Sequence, residues 1–203
     1  MKKLIRSFAL VVAVILLTGC ANSSNFVRPA KDSLAFGKST RADVVSLVGK
    51  PASQQESVPF NGEKFQVVSY SYIGIASFLG KVIPQRNLSY WLYNDKLVGE
   101  AFNSSVDGET TEFDGSKVAS IEKGKSTRAD VIALFGQPSG QFFYPMVKDK
   151  DGVGLVYEYS INRDAGMFNL FLQNNALLIV TLNASGVVTD VYYKKNGVEQ
   201  VKS

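Results

Sequence analysis

The string GKSTRADVVSLVGKP, residues 37–51, decides the fold prediction because it returns as GKSTRADVIALFGQP at residues 124–138. Eleven of the fifteen positions are identical, and the offset is 87 residues. The same offset relates residues 70–72, Tyr-Ser-Tyr, to residues 157–159, Tyr-Glu-Tyr. A fixed internal period indicates a repeated structural unit, so the chain is predicted to consist of two similar halves.

Each copy of the string is predicted to form one short helix with its own start and stop signals. Thr40 and Asp43 form a T-x-x-D pattern, in which the hydroxyl and the carboxylate accept the first free backbone N–H groups. Gly49 can take the left-handed conformation after the last turn, and Pro51 prevents continuation. The second copy repeats these signals with Thr127, Asp130, Val131, Leu134, Phe135, Gly136 and Pro138.

The GKST segment does not predict a phosphate-binding loop. A Walker loop requires a glycine five positions before the glycine of GK, and those positions hold Asp32 and Ala119. Helix capping explains the string except for its cations, for which a solvated helix face is favoured over a binding role. Those cations are Lys38, Arg41, Lys125 and Arg128.

Strands are predicted after each helix. Residues 65–73 and 154–161 carry tyrosines two positions apart, which places them on one face of a strand. Hairpins are predicted at residues 88–102 and 176–193, each with a polar turn. The predicted fold class is therefore α+β, with two tandem repeats that each contain short helices followed by a three-stranded antiparallel meander.

The amino terminus predicts export and lipid attachment. Basic residues precede an apolar run of ten residues, 8–17, which is too short to span a bilayer and fits a secretory signal peptide. The run leads into Leu-Thr-Gly-Cys at residues 17–20, which resembles the bacterial lipobox. Cys20 is then the lipidation site. Asp after the lipidated cysteine resembles an inner-membrane retention signal, and this chain has Ala21 there, so the outer membrane is predicted. The alternative is an ordinary signal peptide followed by a chance cysteine.

These signals divide the chain into four predicted parts. Residues 1–19 are the signal peptide, and residues 20–32 are a polar, flexible, lipidated tether. Residues 33–116 form the first repeat and residues 117–203 the second. The polar stretch 103–117 is predicted to link the two repeats.

Composition excludes several classes of function. The chain has no histidine and a single cysteine, which removes histidine bases, other thiol nucleophiles and most zinc or copper sites. Removing the signal peptide takes away three cations and no acid, so the formal net charge falls from +4 to about +1. No basic patch predicts nucleic-acid binding. We therefore predict a non-enzymatic protein without a cofactor, a metal or a nucleotide.

The lipobox followed by G-x-[ST]-x-x-x-V-x-x-x-x-G-x-P and a Y-x-Y strand resembles the SmpA/OmlA (BamE-like) family of outer-membrane lipoproteins. That resemblance implies a role in inserting β-barrel proteins into the outer membrane. A family member typically has one such unit, whereas this chain has two. The tandem plan is also similar to the β-lactamase inhibitor proteins, whose paired units form a concave sheet that grips an enzyme.

The candidate partner-binding segment is the apolar stretch between the first two predicted strands, residues 73–87. Its exposed patch is predicted to contain Ile75, Phe78, Leu79, Val82 and Ile83. The alternative is that the segment folds back over the core or packs between the repeats. Aromatic residues of the strands could instead supply a binding face: Tyr90, Trp91, Tyr93, Tyr192 and Tyr193.

The predicted function is a protein-binding scaffold anchored in the outer membrane and facing the periplasm, in β-barrel assembly or envelope integrity. Its predicted partners are the membrane, through the lipid on Cys20, and periplasmic or outer-membrane proteins. Tethering raises the effective concentration of the module near such partners. The alternative is an enzyme inhibitor or immunity-type binder that uses a concave double sheet. An envelope hydrolase is a more distant third.

Overall fold

The computed structural model describes residues 25–75, 82–164 and 171–197. These ranges contain two α-helices, α1 (Arg41–Val48) and α2 (Arg128–Phe135), and a 3-10 helix, Gly115–Ser120. The strands are β1 (Ser53–Phe60), β2 (Glu63–Ile73), β3 (Gln85–Tyr93), β4 (Lys96–Ser104), β5 (Gly140–Phe142), β6 (Val153–Asp164), β7 (Phe171–Leu182) and β8 (Val188–Gly197). No helix in these ranges has both the length and the apolar character needed to cross a membrane.

All eight strands belong to one antiparallel sheet in which each strand pairs with the next along the chain. The predicted fold class, two tandem repeats with a three-stranded meander each, is therefore wrong. Each half contributes four strands, and β5 joins the halves by pairing with both β4 and β6. Within this sheet the predicted hairpin at residues 88–102 is confirmed by the pairing of β3 with β4.

The two strands that the sequence did not predict give no run of alternating apolar and polar residues. β1 has the sequence SQQESVPF, and its first five residues are exposed at the edge of the sheet. β5 is only three residues long. Alternation of apolar and polar residues is the main sequence signal of a strand, so neither segment could be recognised. Because β5 was not predicted, the pairing that joins the two halves into one sheet was not predicted either.

The two predicted helices are confirmed, each with a complete capping box. The Thr40 backbone N–H donates to the Asp43 carboxylate at 2.8 Å, and the Thr127 N–H donates to Asp130 at 2.8 Å. The carboxyl ends differ from the prediction. Gly49 has φ of 95° and ψ of −159°, which is outside the left-handed helical region. Its positive φ still favours glycine.

Both copies of the repeated string make equivalent contacts with the sheet. The Tyr70 hydroxyl donates to the carbonyl oxygen of Gly49 at 3.0 Å, and the Tyr157 hydroxyl donates to that of Gly136 at 3.0 Å. Each tyrosine therefore ties a strand to the last turn of its helix. The repeat seen in the sequence corresponds to repeated tertiary contacts, although the strands merge into one sheet.

Both α-helices pack on the same face of the sheet, which we call the helix-covered face. One core surrounds Val44 of α1 and includes Tyr70, Leu88 and Leu92. A second core surrounds Val131 of α2, with partners from β6, β7 and β8. The opposite face, the helix-free face, carries neither α-helix. Within the described ranges, its buried cluster is covered by the loop that contains Met146 and Val147.

The predicted tether is not a free spacer over its described part. Phe26 is only 6 % exposed and its ring lies 5.9 Å from that of Tyr70. Arg28 forms an ion pair of 2.7 Å with Glu100 and lies 4.6 Å above the Phe102 ring. An aromatic side chain buried on a core stabilises the docked conformation, so this segment belongs to the fold.

The predicted linker, residues 103–117, is also part of the fold. Asn103 and Ser104 are buried at the end of β4. Phe113 is buried in the core around α2, with its ring 5.3 Å from that of Tyr159. The polar composition of the stretch concealed this anchor, because a single aromatic residue gives no periodic signal.

Candidate functional site

One end of the helix-free face is aromatic. The rings of four residues lie about 6 Å apart, in edge-to-face pairs except for the tilted pair of Phe60 and Trp91; the residues are Phe60, Phe65, Trp91 and Phe142. Such geometry is favourable for aromatic rings. The loop over this cluster is held by the Asn61 side chain, which donates to the carbonyl oxygen of Met146 at 2.7 Å. This end of the face is therefore a covered core.

The other end of the helix-free face is polar. Side chains alternate across a strand, and at this end most positions on the helix-free face carry Ser, Asn or Gln side chains. The cross-strand register places Ser69 opposite Ser89, Asn87 opposite Asn103, and Ser160 opposite Asn175. No α-helix or apolar loop covers these residues within the described ranges.

The polar end includes a seam, the part of the boundary between β4 and β6 that β5 does not reach. Thr111 bridges it. Its backbone N–H donates to Ser104 at 3.0 Å, and its hydroxyl donates to the carbonyl oxygen of Glu158 at 2.6 Å. On the same edge of β6, the Glu158 N–H donates to the Ser139 hydroxyl at 3.2 Å. Side chains thus replace the missing ladder bonds.

The segment before β3 completes the seam. Gln85 donates from its side chain to the carbonyl oxygen of Ser160 at 2.6 Å, and the Ile83 N–H donates to that of Asn162 at 2.8 Å. Val82 forms an isolated bridge with Arg163. Unmatched backbone groups in a sheet interior are costly, so this segment fills a structural need where the two halves meet.

Two cavities of about 400 Å³ each open on the polar end and share Asn87, Asn103 and Glu158. We call the first the serine cavity, because its further lining includes Ser53, Ser69, Ser71 and Ser89. We call the second the asparagine cavity, because it continues along Ser160, Asn175, Lys194 and Asn196. Volumes of this size accept side chains or small ligands.

Glu158 lies where the two cavities meet, and it is partly buried. Burial raises the pKa of its carboxyl, and a hydrogen bond from Asn103 opposes that rise. The Asn103 side-chain oxygen accepts from Asn87 at 3.1 Å, which leaves its amide group for Glu158. Lys194, in the lining of the asparagine cavity, is the single Lys or Arg among the residues that line either cavity.

The predicted apolar patch does not come together as one exposed surface over its described part. Ile75 is 93 % exposed. Val82 packs against the core around α2, and Ile83 bonds across the seam. Phe78 and Leu79, like Cys20, lie outside the described residues.

The predicted aromatic candidates divide between the two faces. Tyr90 is buried on the helix-covered face, where burial raises the pKa of its phenol, with a further rise from Glu100. Tyr193 packs against Phe113 on the same face. Trp91 and Tyr93 border the aromatic cluster of the helix-free face. Tyr192, whose partner on β7 is Ile179, lies on that face and is 51 % exposed.

A third cavity, of about 340 Å³, lies on the helix-covered face between residues 28–36 and the loop at residues 137–141. Its Arg28 already contacts Glu100, the carbonyl oxygen of Ser139 and the Phe102 ring. That guanidinium is therefore committed to holding the amino-terminal segment. We regard this cavity as a by-product of docking the segment.

The cations of the repeated string show no shared site. Lys125 pairs with Glu122 at 2.7 Å, Arg41 pairs with Glu56 at 2.6 Å, and Lys38 is exposed. In the described ranges no three His, Cys, Asp or Glu side chains are grouped so as to hold a metal ion. Sequence reasoning missed Glu158 and the amides beside it. The available signal was the run of serines and asparagines at alternate strand positions.

No protein-family model matches the chain, and no curated protein matches it. Among solved structures, one similar chain is a Streptococcus mutans protein provisionally described as a beta-lactamase inhibitor protein. The two share 11 % identity and a TM-score of 0.38 over 77 % of this chain and 82 % of that chain. A likeness at this level supports no inference. The resemblance to the SmpA/OmlA family gains no support from these comparisons.

Proposed function

We propose that this protein is a non-enzymatic binding protein of the bacterial envelope, anchored to the outer membrane through Cys20, which holds a protein partner on its helix-free face. The observation that carries the proposal is the polar end of that face, where two cavities adjoin and neither α1 nor α2 covers the sheet. A role in β-barrel assembly or envelope integrity is the narrower form of the proposal.

The arrangement of the two faces supports this choice. The helix-covered face is occupied by two helices, the docked segment at Phe26 and the anchor at Phe113. The edges of the sheet are poorly suited to pairing with another strand, since β1 contains Pro59 and a register shift, and β8 carries Lys194 and Lys195. Proline, bulges and lysines are features that block edge pairing.

Site-specific photo-crosslinking in living cells tests the proposal. A photoreactive residue at Ser53 or Tyr192, both exposed on the helix-free face, should capture a protein partner. The matched controls are Ser46 and Leu47 on α1, which are exposed on the opposite side and should capture little; Leu47 is 45 % exposed, close to Tyr192. Equal capture from both sides would contradict the proposal.

Membrane anchoring has a separate test. Cys20→Ser should move the protein from the outer-membrane fraction to the soluble fraction, since a diacyl-type anchor holds a protein where one chain is marginal. Unchanged fractionation of the variant would contradict the lipoprotein assignment while leaving the binding face untouched.

The second candidate is an enzyme inhibitor, favoured by the same open sheet face. It predicts one tight, soluble 1:1 complex with a single enzyme, whereas a scaffold predicts several membrane partners and an envelope-permeability defect on deletion. Identification of the crosslinked partners by mass spectrometry separates the two candidates.

A further inference from the structure

We infer that the serine cavity is a pocket for a positively charged side chain of the protein partner, best an arginine, with Glu158 as its counter-ion. This inference rests on the proposed function and names the chemistry by which the helix-free face recognises its partner.

The formal charge of the serine cavity comes from one residue. Glu158 is the single acidic or basic side chain in the lining of the serine cavity, and no cation forms an ion pair with it in the described part of the chain. Lys194 borders only the asparagine cavity and is itself exposed. A partly buried carboxylate without a cation is unfavourable, and an incoming cation relieves this cost.

Glu158 is held through both its backbone and its side chain. Its backbone N–H and carbonyl groups are fixed by Ser139 and Thr111 across the seam. Its side chain is oriented by Asn103, which is buried and receives a hydrogen bond from Asn87. Amides in a chain of this kind hold the carboxylate in place without neutralising it. A preorganised group loses little entropy when it binds.

The rest of the cavity lining includes several hydroxyl groups. Four serines line the cavity: Ser53, Ser69, Ser71 and Ser89. A hydroxyl oxygen accepts hydrogen bonds, and a guanidinium presents five N–H donors in one plane. A lining that combines one carboxylate with several neutral acceptors therefore suits arginine better than the compact ammonium of lysine.

The first test titrates the full-length protein, purified with its anchor in detergent micelles. The probe is N-ethylguanidinium chloride, and the control is tetramethylammonium chloride at equal ionic strength. Carbon-13 NMR of the glutamate carboxyls, with Glu158 assigned by its loss in Glu158→Gln, reports the pKa. N-ethylguanidinium should lower the pKa of Glu158 and shift the signals of Asn87 and Asn103. Identical titration curves in both salts would overturn the inference.

The second test separates this pocket from the proposed function as a whole. Glu158→Gln should reduce partner capture from Tyr192, which lines neither cavity, about tenfold, because a hydrogen-bonded charge contributes roughly that factor to binding. The control Glu112→Gln removes an exposed carboxylate and should leave capture unchanged. Capture that is unaffected by Glu158→Gln overturns the pocket alone, whereas absence of capture in the unmodified protein overturns the binding function itself.

The variant should remain folded. The raised pKa of Glu158 means that ionisation costs stability, so the unmodified protein loses stability as pH rises from the usual glutamate range through the folded pKa. Glu158→Gln removes this loss and should be at least as stable at pH 7. Thermal melts at pH 5 and pH 7 check this, and a melting temperature at pH 7 well below that of the unmodified protein would contradict the burial argument.

Discussion

The hydroxyl of Thr111 donates a 2.6 Å hydrogen bond to the carbonyl oxygen of Glu158 and accepts one of 3.1 Å from the N–H of Ser104. One side chain thereby occupies the place of a strand between β4 and β6. Thr111 lies within residues 103–117, which were predicted from the sequence to form a linker. This contact closes the part of the boundary between β4 and β6 that β5 does not reach, next to Glu158.

The bridge at Thr111 predicts a measurable loss of stability on substitution. Thr111→Val keeps the shape but leaves two partly buried backbone groups without a partner, which costs about 1–3 kcal/mol of unfolding free energy. Urea denaturation measures this. Thr110→Val, at the exposed neighbouring position, should change the unfolding free energy by less than about 0.5 kcal/mol. Equal effects of the two substitutions would show that the seam is not held by this hydroxyl.

The docked amino-terminal segment predicts a contrast between adjacent residues. Phe26→Ala removes a buried ring and should lower the unfolding free energy by about 3 kcal/mol. Val27→Ala alters a side chain that is 85 % exposed and should have almost no effect. A small effect of Phe26→Ala on the urea midpoint would mean that the segment is free in solution, as the sequence first indicated.

The paired tyrosines predict both a stability effect and an alkaline transition. Tyr70→Phe and Tyr157→Phe each remove a hydrogen bond to a helix terminus and should cost about 1 kcal/mol. Burial raises the pKa of each phenol to about 12. Because an unfolded tyrosine titrates near 10, stability is lost as pH rises above that value. Absorbance titration should show late ionisation of both residues, with the exposed Tyr144→Phe as the control.

The two capping boxes predict an acid-sensitive contribution to stability. Hydrogen bonds from the backbone and side chain of Thr40 lower the pKa of Asp43, and Thr127 does the same for Asp130. A lowered folded pKa stabilises the protein above the usual aspartate range, and this contribution is lost as pH falls through the folded value. Asp43→Asn with Asp130→Asn should flatten the stability profile below pH 4, whereas Asp107→Asn in an exposed turn should leave its slope unchanged.

The local features of the fold could be predicted from the sequence, and the long-range ones could not. The capping boxes at Thr40 and Thr127 were predictable because every residue involved lies within four positions of its partner. The edge strand β1 could not be predicted, because an exposed strand needs no apolar alternation. β5 was missed because three residues carry no period.

The candidate site was the least predictable part. Glu158 reads as a polar residue between two tyrosines, and only the register of β6 with β7 places it on the helix-free face. Asn87 and Asn103 lie 71 and 55 positions away in the chain and reach it only through the order of the strands. The apolar segment at residues 73–87 was predicted to bind a partner. Its residues Val82 and Ile83 instead contribute to the seam.

Docking of the amino-terminal segment limits the distance between the folded part of the protein and Cys20, the proposed lipidation site. Asn25 is already fixed by a 2.6 Å hydrogen bond from Arg86, so only five peptide links separate it from Cys20. Fully extended, they span no more than about 18 Å. If Cys20 carries the proposed lipid, this short connection begins on the side of the helices, so the helix-covered face would lie near the bilayer and the polar end of the helix-free face would point away from it.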